Sequence, residues 1–258
     1  MRNSDGGGAR THPALAWAAG LAAVAIPAWG HAQTIELGAV MTGAGEAPPI
    51  ATPAAGMAFA TIDTATLTLN WLVAFSGLSG PPTAAHFHGP AMVGVNAGVM
   101  VPIAGGDAAS PITGSAQITP QQMADLLGGL WYANVHTVLN PPGELRGQMM
   151  PRDIFGAEPT APGGDEPACT AYLIADAGSF ALDWFVACPG LSAPPAAAEL
   201  RSPAPDSVVA LDASTNPMTG SATLTAQQFA ALSAGEWTLS VQPADGQAIA
   251  APVLPFRF

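Results

Sequence analysis

The chain contains no lysine, and its six basic residues, all arginine, face 18 aspartates and glutamates, which gives a net charge of −12 at pH 7. Nucleic acids and anionic membrane surfaces repel so acidic a protein, and the sequence argues against both as partners. Charged residues make up only 9% of the chain, so uncharged polar residues, glycine and proline must cover much of the surface. The 29 glycines and 26 prolines favour an all-β exported protein over a helical one.

Cysteine is also scarce. The two cysteines, Cys169 and Cys188, are too far apart for a Cys-x-x-Cys redox motif. They flank an apparent hairpin with its turn at Asp176–Gly178, and a hairpin brings its two ends together. We therefore expect a structural disulfide, with two buried free thiols as the alternative.

Long apolar runs are few, and one of them, Ala14–Trp29, spans 16 residues near the N-terminus. Two arginines precede it and a small-x-small sequence, Gly30–Ala32, follows it, a pattern typical of a secretory signal peptide over residues 1–32. A transmembrane anchor is the alternative, but a span needs about 20 residues. We expect cleavage before Gln33, no membrane span after cleavage, and a secreted or periplasmic protein.

The rest of the chain contains an internal repeat. Residues 66–82 align without gaps on residues 179–195, and after a short deletion Trp131 matches Trp237. Such repetition predicts two copies of one fold.

The domain limits follow from this repeat and from composition. The Pro- and Gly-rich stretch Pro159–Pro167 resembles a linker. We therefore expect a first domain at 33–155, a linker at 156–167 and a second domain at 168–258.

Within each repeat the pattern predicts short strands and one helix. Hydrophobic residues alternate with polar ones at Leu67, Leu69, Trp71 and Val73, as in a half-buried strand. Thr119, Pro120 and Gln122 form a capping-box pattern that predicts a helix ending near Gly128, and the second repeat has a similar pattern at 225–232. The expected fold class is all-β: two tandem Greek-key β-sandwich domains, each with one short helix.

Three histidines lie beyond residue 32, and they share one pattern: His86, His88 and His136. The first two form a His-x-His pair, whose side chains project from the same face of a strand. A third imidazole from another strand would complete a three-nitrogen site suited to zinc or copper. The ring nitrogens should then lie within about 4 Å of one another, since each would be about 2.0–2.1 Å from a shared ion.

The second repeat lacks all three histidines together. The matching positions hold Glu199, Arg201 and Gln242. This matched difference points to a single site in the first repeat. The alternative is that the histidines are structural and hydrogen-bond to neighbouring loops.

Four segments of the first repeat resemble the CHRD domain, a module named after chordin and found in bacterial exported proteins. They are Val40–Pro49, Ala85–Ala91, Trp131–Thr137 and Asn140–Gln148. The second repeat resembles a degenerate copy without the histidine motifs. Because this family has no well-established activity, the resemblance implies the fold sooner than the function. We expect an exported, non-catalytic binding or structural module, whose protein or cell-surface partner the sequence does not identify.

A more distant resemblance, to the immunoglobulin-like sandwich of copper–zinc superoxide dismutases, implies a second hypothesis. In it His86, His88 and His136 would bind copper, and Arg146 would guide an anionic substrate. The sequence lacks a fourth, bridging histidine and a zinc-loop cluster. A copper-dependent oxidoreductase is therefore the alternative function, and Arg146 has a structural alternative as the residue after a Pro-Pro-Gly-Glu-Leu turn sequence.

Overall fold

A computed structural model of the chain describes residues 33–106, 108–161, 163–164, 168–204 and 207–256. The expected signal peptide at 1–32 lies outside the described residues, as do residues 162 and 165–167 of the expected linker. The regular secondary structure of the described residues consists of 17 strands, two short α-helices and one 3-10 turn, which confirms the all-β prediction.

The first sheet contains nine strands, with a 3-10 turn at Gly43–Gly45 and helix α1 at Pro120–Leu127. Its strands are β1 (Thr34–Thr42), β2 (Ala55–Asp63), β3 (Thr68–Ser76), β4 (Pro82–His88), β5 (Val99–Ala104), β6 (Ile112–Gln117), β7 (Tyr132–Thr137), β8 (Leu145–Gln148) and β9 (Met150–Pro151). The order is β5-β4-β7-β8-β1-β2-β3-β6, with β9 paired to β1. The terminal strands β5 and β6 contact each other, so the sheet nearly closes into a sandwich.

The second sheet contains eight strands and helix α2 at Ala226–Ser233. Its strands are β10 (Asp153–Ala157), β11 (Thr170–Ala175), β12 (Ala181–Ala187), β13 (Ala197–Arg201), β14 (Val208–Leu211), β15 (Met218–Thr223), β16 (Trp237–Gln242) and β17 (Ile249–Pro255). The order, β14-β13-β16-β17-β10-β11-β12-β15, repeats that of the first sheet strand for strand. Non-sequential neighbours such as β4–β7 and β3–β6 are the crossovers of a Greek-key arrangement.

The alternating residues of β3 face the core as predicted. Leu69, Trp71 and Val73 are all buried. Leu67 also packs against this core but is only partly buried, and it precedes β3 in a tight turn with a φ of 56°, where its N–H donates to the Asp63 carbonyl. Phe180 has the same role before β12, with a φ of 57°, so even this irregular turn is repeated.

Both helices begin with the predicted capping box. The Thr119 hydroxyl accepts from the Gln122 N–H at 3.2 Å, and the Gln122 side chain accepts from the Thr119 N–H at 2.8 Å. Thr225 and Gln228 make the same pair of bonds before α2. Within the described part of the chain, no helix is long and apolar enough to cross a membrane.

The two sheets meet earlier in the chain than composition suggested. Strand β10 pairs with β11 and β17 of the second sheet, so the second sheet begins at Asp153 instead of at residue 168. The linker-like stretch after Ala157 connects β10 to β11 inside the second sheet. Phe155 and Ala157 explain this placement, since both are buried in the core of the second sheet.

A separate apolar cluster packs the two sheets against each other. It contains Met57, Phe59, Leu72 and Ala74 from the first sheet, and Ile154, Tyr172, Ile174 and Phe185 from the second. The Phe59 and Tyr172 rings have centroids 5.3 Å apart. Gly38 permits close approach, because a Cβ there would lie 2.9 Å from the Ile174 side chain.

The expected disulfide joins Cys169 to Cys188. Thr170 lies opposite Ala187 in the last ladder pair of β11 and β12, and Cys169 directly precedes Thr170 while Cys188 directly follows Ala187. The bond therefore closes the open end of the predicted hairpin, within the second sheet.

Candidate metal centre

Adjacent strands bring the three histidines together. His86 and His88 lie two residues apart on β4, while His136 lies on the neighbouring strand β7, opposite Ala84. Phe87 points the other way and is buried in the core, with its ring centroid 5.8 Å from that of Trp71. One candidate ligand atom from each histidine lies within 4.8 Å of the others.

Backbone carbonyls fix the proton positions on two of the rings. Nδ1 of His88 donates to the Ala97 carbonyl at 3.0 Å, and Nδ1 of His136 donates to the Pro141 carbonyl at 3.0 Å. A neutral imidazole with its proton on Nδ1 leaves Nε2 as a bare acceptor. Both residues therefore present Nε2 as the available ligand atom. Metal-binding histidines typically donate their other ring N–H to a carbonyl or carboxylate in the same way.

The third ring uses its other nitrogen. Nδ1 of His86 lies 3.2 Å from Nε2 of His136. Because the His136 Nε2 is an acceptor, the proton between these atoms belongs to His86. A cation in that position would replace this proton and use Nδ1 of His86 as its ligand.

The electrostatic environment keeps the three imidazoles neutral. Burial is the main cause, and it lowers the pKa of His86, His88 and His136 below the ordinary value of 6.5. The positive charges that the neighbouring histidines would carry lower the pKa of His86 further. Since a protonated imidazole cannot bind a metal ion, neutrality at pH 7 favours coordination.

The donor set fits zinc or copper. Among the described residues, Nε2 of His88 is buried without a hydrogen-bond partner, which leaves its lone pair available to a cation. The spread of 4.8 Å is wider than the roughly 4 Å expected for a shared ion, and two bonds of about 2.1 Å span at most about 4.2 Å. Binding would therefore draw the rings together by about half an ångström.

Arg146 lies beside the site but does not face solvent, with an exposed fraction of 2%. Its guanidinium donates to Asn96 Oδ1 at 2.9 Å and to the Val95 carbonyl at 2.8 Å. Its Cζ also lies 3.5 Å from the centroid of the Tyr132 ring. These contacts favour the structural interpretation of Arg146 over the anion-guiding one.

A buried carboxyl group near Arg146 was not identified from the sequence. Glu46 accepts from the Asn134 amide at 2.7 Å, and Asn134 is the β7 neighbour of Arg146. Burial raises the pKa of Glu46 to about 7, although the Asn134 hydrogen bond and the Arg146 charge oppose it. Gly143 leaves room for this pair, because a Cβ there would lie 2.5 Å from Glu46 Oε1.

Glu144 is a second buried carboxylate missed from the sequence. It accepts hydrogen bonds from Thr52, Ser79 and Thr137. Burial alone raises its pKa, but these bonds together outweigh burial and lower the pKa to about 2. The carboxylate thereby ties the β7–β8 hairpin to two distant loops. The Gly-Glu-Leu-Arg sequence was the available signal, but it does not identify the donors.

The matching positions of the second sheet form no comparable cluster. Arg201 pairs with Glu199, its Nε lying 3.1 Å from Glu199 Oε1. The Gln242 amide donates to the Pro243 and Gly246 carbonyls at 3.1 and 2.9 Å. Gln242 thus keeps a hairpin contact like that of His136 Nδ1, but it offers no imidazole nitrogen.

A family model for the CHRD domain matches residues 37–149 of the chain. Residues 37–149 are a CHRD domain. The match includes all three histidines and confirms the resemblance inferred from the four motif segments. The second sheet lies outside the match. Neither the curated proteins nor the solved structures contain a match to this chain.

Proposed function

We propose that this is an exported, non-catalytic CHRD protein whose first sheet holds one zinc or copper ion through His86, His88 and His136. The observation that carries the proposal is the buried Nε2 of His88, which has no partner in the described part of the chain. A buried acceptor left unpaired costs about 1–3 kcal/mol, and a bound cation would remove that cost.

The proposed division of labour follows from the hydrogen bonds. Carbonyls hold the Nδ1 protons of His88 and His136, so these rings present Nε2, while His86 contributes Nδ1. When bound, the ion would supply a positive charge with at least one coordination position left for water or another ligand. The proposed role of the CHRD domain is to bind and hold the ion, without catalysis.

A calorimetric titration of the purified protein with Zn(II) and Cu(II) tests this proposal. We expect one ion per chain for the wild type and no specific binding for the first-sheet triple variant, His86→Ala, His88→Ala and His136→Ala. The matched control is the second-sheet triple variant, Glu199→Ala, Arg201→Ala and Gln242→Ala, which should bind like the wild type. Equal binding by the wild type and the first-sheet triple variant would overturn the proposal.

Export is the second part of the proposal. It is supported by the Cys169–Cys188 disulfide, since disulfides form and persist in oxidising compartments, and by the signal-peptide pattern of residues 1–32. Expression in a bacterial host followed by mass spectrometry of the periplasmic fraction tests it. The expected mature protein begins at Gln33, and a protein that stays in the cytoplasm with residues 1–32 attached contradicts it.

We further propose that the second sheet is a degenerate CHRD copy that serves as a structural or interaction domain. The shared strand order supports this, as does the Glu199–Arg201 ion pair at the position of the His-x-His pair.

A copper-dependent oxidoreductase has less support, because the buried Arg146 offers no guanidinium to an anionic substrate. A superoxide assay of the copper-loaded protein separates the non-catalytic function from the oxidoreductase. We expect no activity above that of the first-sheet triple variant treated with copper in the same way.

A further inference from the structure

Tyr132 and a loop carbonyl hold the His88 ring in place. Tyr132 stacks on His88, with ring centroids 5.0 Å apart and planes 5° from parallel. The Tyr132 hydroxyl accepts from the Ala97 N–H at 3.0 Å, and the Ala97 carbonyl accepts from His88 Nδ1. The Ala97 peptide is therefore held between the hydroxyl of Tyr132 and the ring of His88.

Arg146 holds the same loop from the other side of β7. It bonds to Val95 and Asn96, the two residues before Ala97, and its guanidinium lies over the Tyr132 ring. The Asn96 amide in turn donates to the Ala47 carbonyl at 2.8 Å. Arg146 thus contacts both the loop residues before Ala97 and the Tyr132 ring, and these two groups position the Ala97 carbonyl.

The second sheet shows that the fold does not require this arrangement. In the first sheet Tyr132 lies opposite His88 and Arg146 opposite Asn134. The same places in the second sheet hold Thr238, opposite Arg201, and Ala250, opposite Ser240.

The loop differs in the same way. Between β4 and β5 it has ten residues, 89–98, whereas between β13 and β14 it has six, 202–207. The histidines, the tyrosine, the arginine and the long loop are present in one sheet and absent in the other. Their joint occurrence indicates that Arg146 and Tyr132 serve the histidine site and are not required for the sandwich fold.

We propose that Arg146 is a positioning residue for His88. Through Val95, Asn96 and Tyr132 it holds the Ala97 carbonyl where it keeps the proton on Nδ1 of His88 and leaves Nε2 free. The tautomer of His88 is a property of the metal-free protein, whereas its consequence for affinity rests on the proposed metal site.

The test compares Arg146→Met with Gln148→Met. Gln148 is a matched control, because it also lies on β8 and donates to the loop carbonyl of Ala91 at 2.9 Å, yet its amide hydrogen bonds go to Ala91 and Gly129 and not to Ala97 or His88. Long-range ¹H–¹⁵N correlation spectra of the metal-free protein report which ring nitrogen carries the proton. Zn(II) titration of the same samples reports the affinity.

We expect Arg146→Met to convert His88 to a mixture of tautomers while His136, held by Pro141, stays protonated on Nδ1. Zinc affinity should fall by about 10–100-fold, the usual effect of losing an outer-shell partner. Gln148→Met should leave both measurements at wild-type values. An unchanged His88 tautomer in Arg146→Met, or an equal change in Gln148→Met, overturns the inference.

A second variant keeps the test open if Arg146→Met does not fold. Tyr132→Phe keeps the ring that stacks on His88 and removes only the hydroxyl, which accepts from the Ala97 N–H at 3.0 Å and donates to the Ala97 carbonyl at 3.4 Å. It should shift the His88 tautomer in the same direction, and a wild-type spectrum contradicts the inference. If the tautomers shift but the wild type binds no zinc or copper, the proposed function fails while the positioning role stands.

Discussion

Nδ1 of His86 lies 3.2 Å from Nε2 of His136, and a single proton, on His86, fills the space between them. The Pro141 carbonyl fixes this assignment, because it takes the only proton of the neutral His136 ring. A metal ion would replace the shared proton, and His86 would move its own proton to Nε2. The site can therefore change between a hydrogen bond and a coordination bond without net ionisation.

His136→Gln separates a structural role from a metal-binding one. Gln242 shows that an amide at the equivalent position still bonds to hairpin carbonyls. We expect the free energy of unfolding to change by less than about 1 kcal/mol, within the range of a replaced hydrogen bond. Metal affinity should fall at least tenfold, measured by calorimetry. A large loss of stability in urea titrations, with metal affinity unchanged, would favour the structural alternative.

Glu46→Gln should change how stability depends on pH. Burial raises the pKa of Glu46 from 4.5 to about 7 in the folded protein, so the folded state binds this proton more tightly than the unfolded state. The contribution of Glu46 to the free energy of unfolding therefore falls as pH rises from about 4.5 to about 7 and is constant above that range. Glu46→Gln should lose this decline, measured by urea unfolding at pH 5 and pH 8. Parallel pH profiles for the variant and the wild type would contradict the prediction.

Glu144→Gln should destabilise the first sheet. The lowered pKa of about 2 means that the ionised form is favoured in the folded state, so its contribution is present above pH 4.5 and is lost as pH falls through 2. An amide cannot accept from all the donors at Thr52, Ser79 and Thr137, and we expect a loss of about 3 kcal/mol at pH 7. The exposed Glu236→Gln is the control and should stay within about 0.5 kcal/mol of the wild type. Similar urea midpoints for both variants would count against this role of Glu144.

Local sequence signals were enough to predict much of the fold. The capping residues Thr119 and Gln122 act within one turn of helix, and Leu69, Trp71 and Val73 follow the two-residue period of a strand. Repetition then transferred each assignment to the second half of the chain. The position of β10 was missed because Pro159–Pro167 has the composition of a linker, while the pairing of β10 depends on β17, nearly 100 residues away.

The candidate site was likewise predicted in part from the sequence. The His-x-His spacing and the matched absence in the second repeat identified His86, His88 and His136, because both signals are local or comparative. The surroundings of the site depend on contacts across the sheet. Glu46 and Asn134 are 88 residues apart in the chain, and no periodicity connects residues that far apart.

The disulfide should stabilise only the second sheet. Cys169 and Cys188 are 19 residues apart, and closing a loop of that size contributes about 3 kcal/mol in the chain-entropy account. Cys169→Ala with Cys188→Ala should lower the free energy of unfolding by about that amount in guanidinium titrations. Reduced wild-type protein is the control and should match the double variant. Zinc affinity should not change, since the histidines lie in the other sheet, and a parallel loss of affinity would contradict this separation.

Placing three histidines in the second sheet should not be enough to make an equal site. The test protein combines Glu199→His, Arg201→His and Gln242→His with the three alanine substitutions of the first-sheet triple variant. The new histidines are then the only ones beyond residue 32. Strands β13 and β16 have the register of β4 and β7, so the rings should converge. Thr238 stands where Tyr132 stacks on His88, and Ala250 stands where Arg146 bonds to the loop. At these two places the second sheet therefore offers its shorter loop neither a stacked ring nor an arginine that could hold a carbonyl.

We therefore expect zinc affinity in this variant to be at least tenfold weaker than at the natural site, in line with the usual effect of missing outer-shell partners. Adding Thr238→Tyr alone should recover little, because the loop that carries the Ala97 carbonyl is still absent. Calorimetry of both variants beside the wild type provides the measurement. Affinity equal to the wild type would mean that the three imidazoles alone determine binding and that Arg146 and Tyr132 contribute nothing to it.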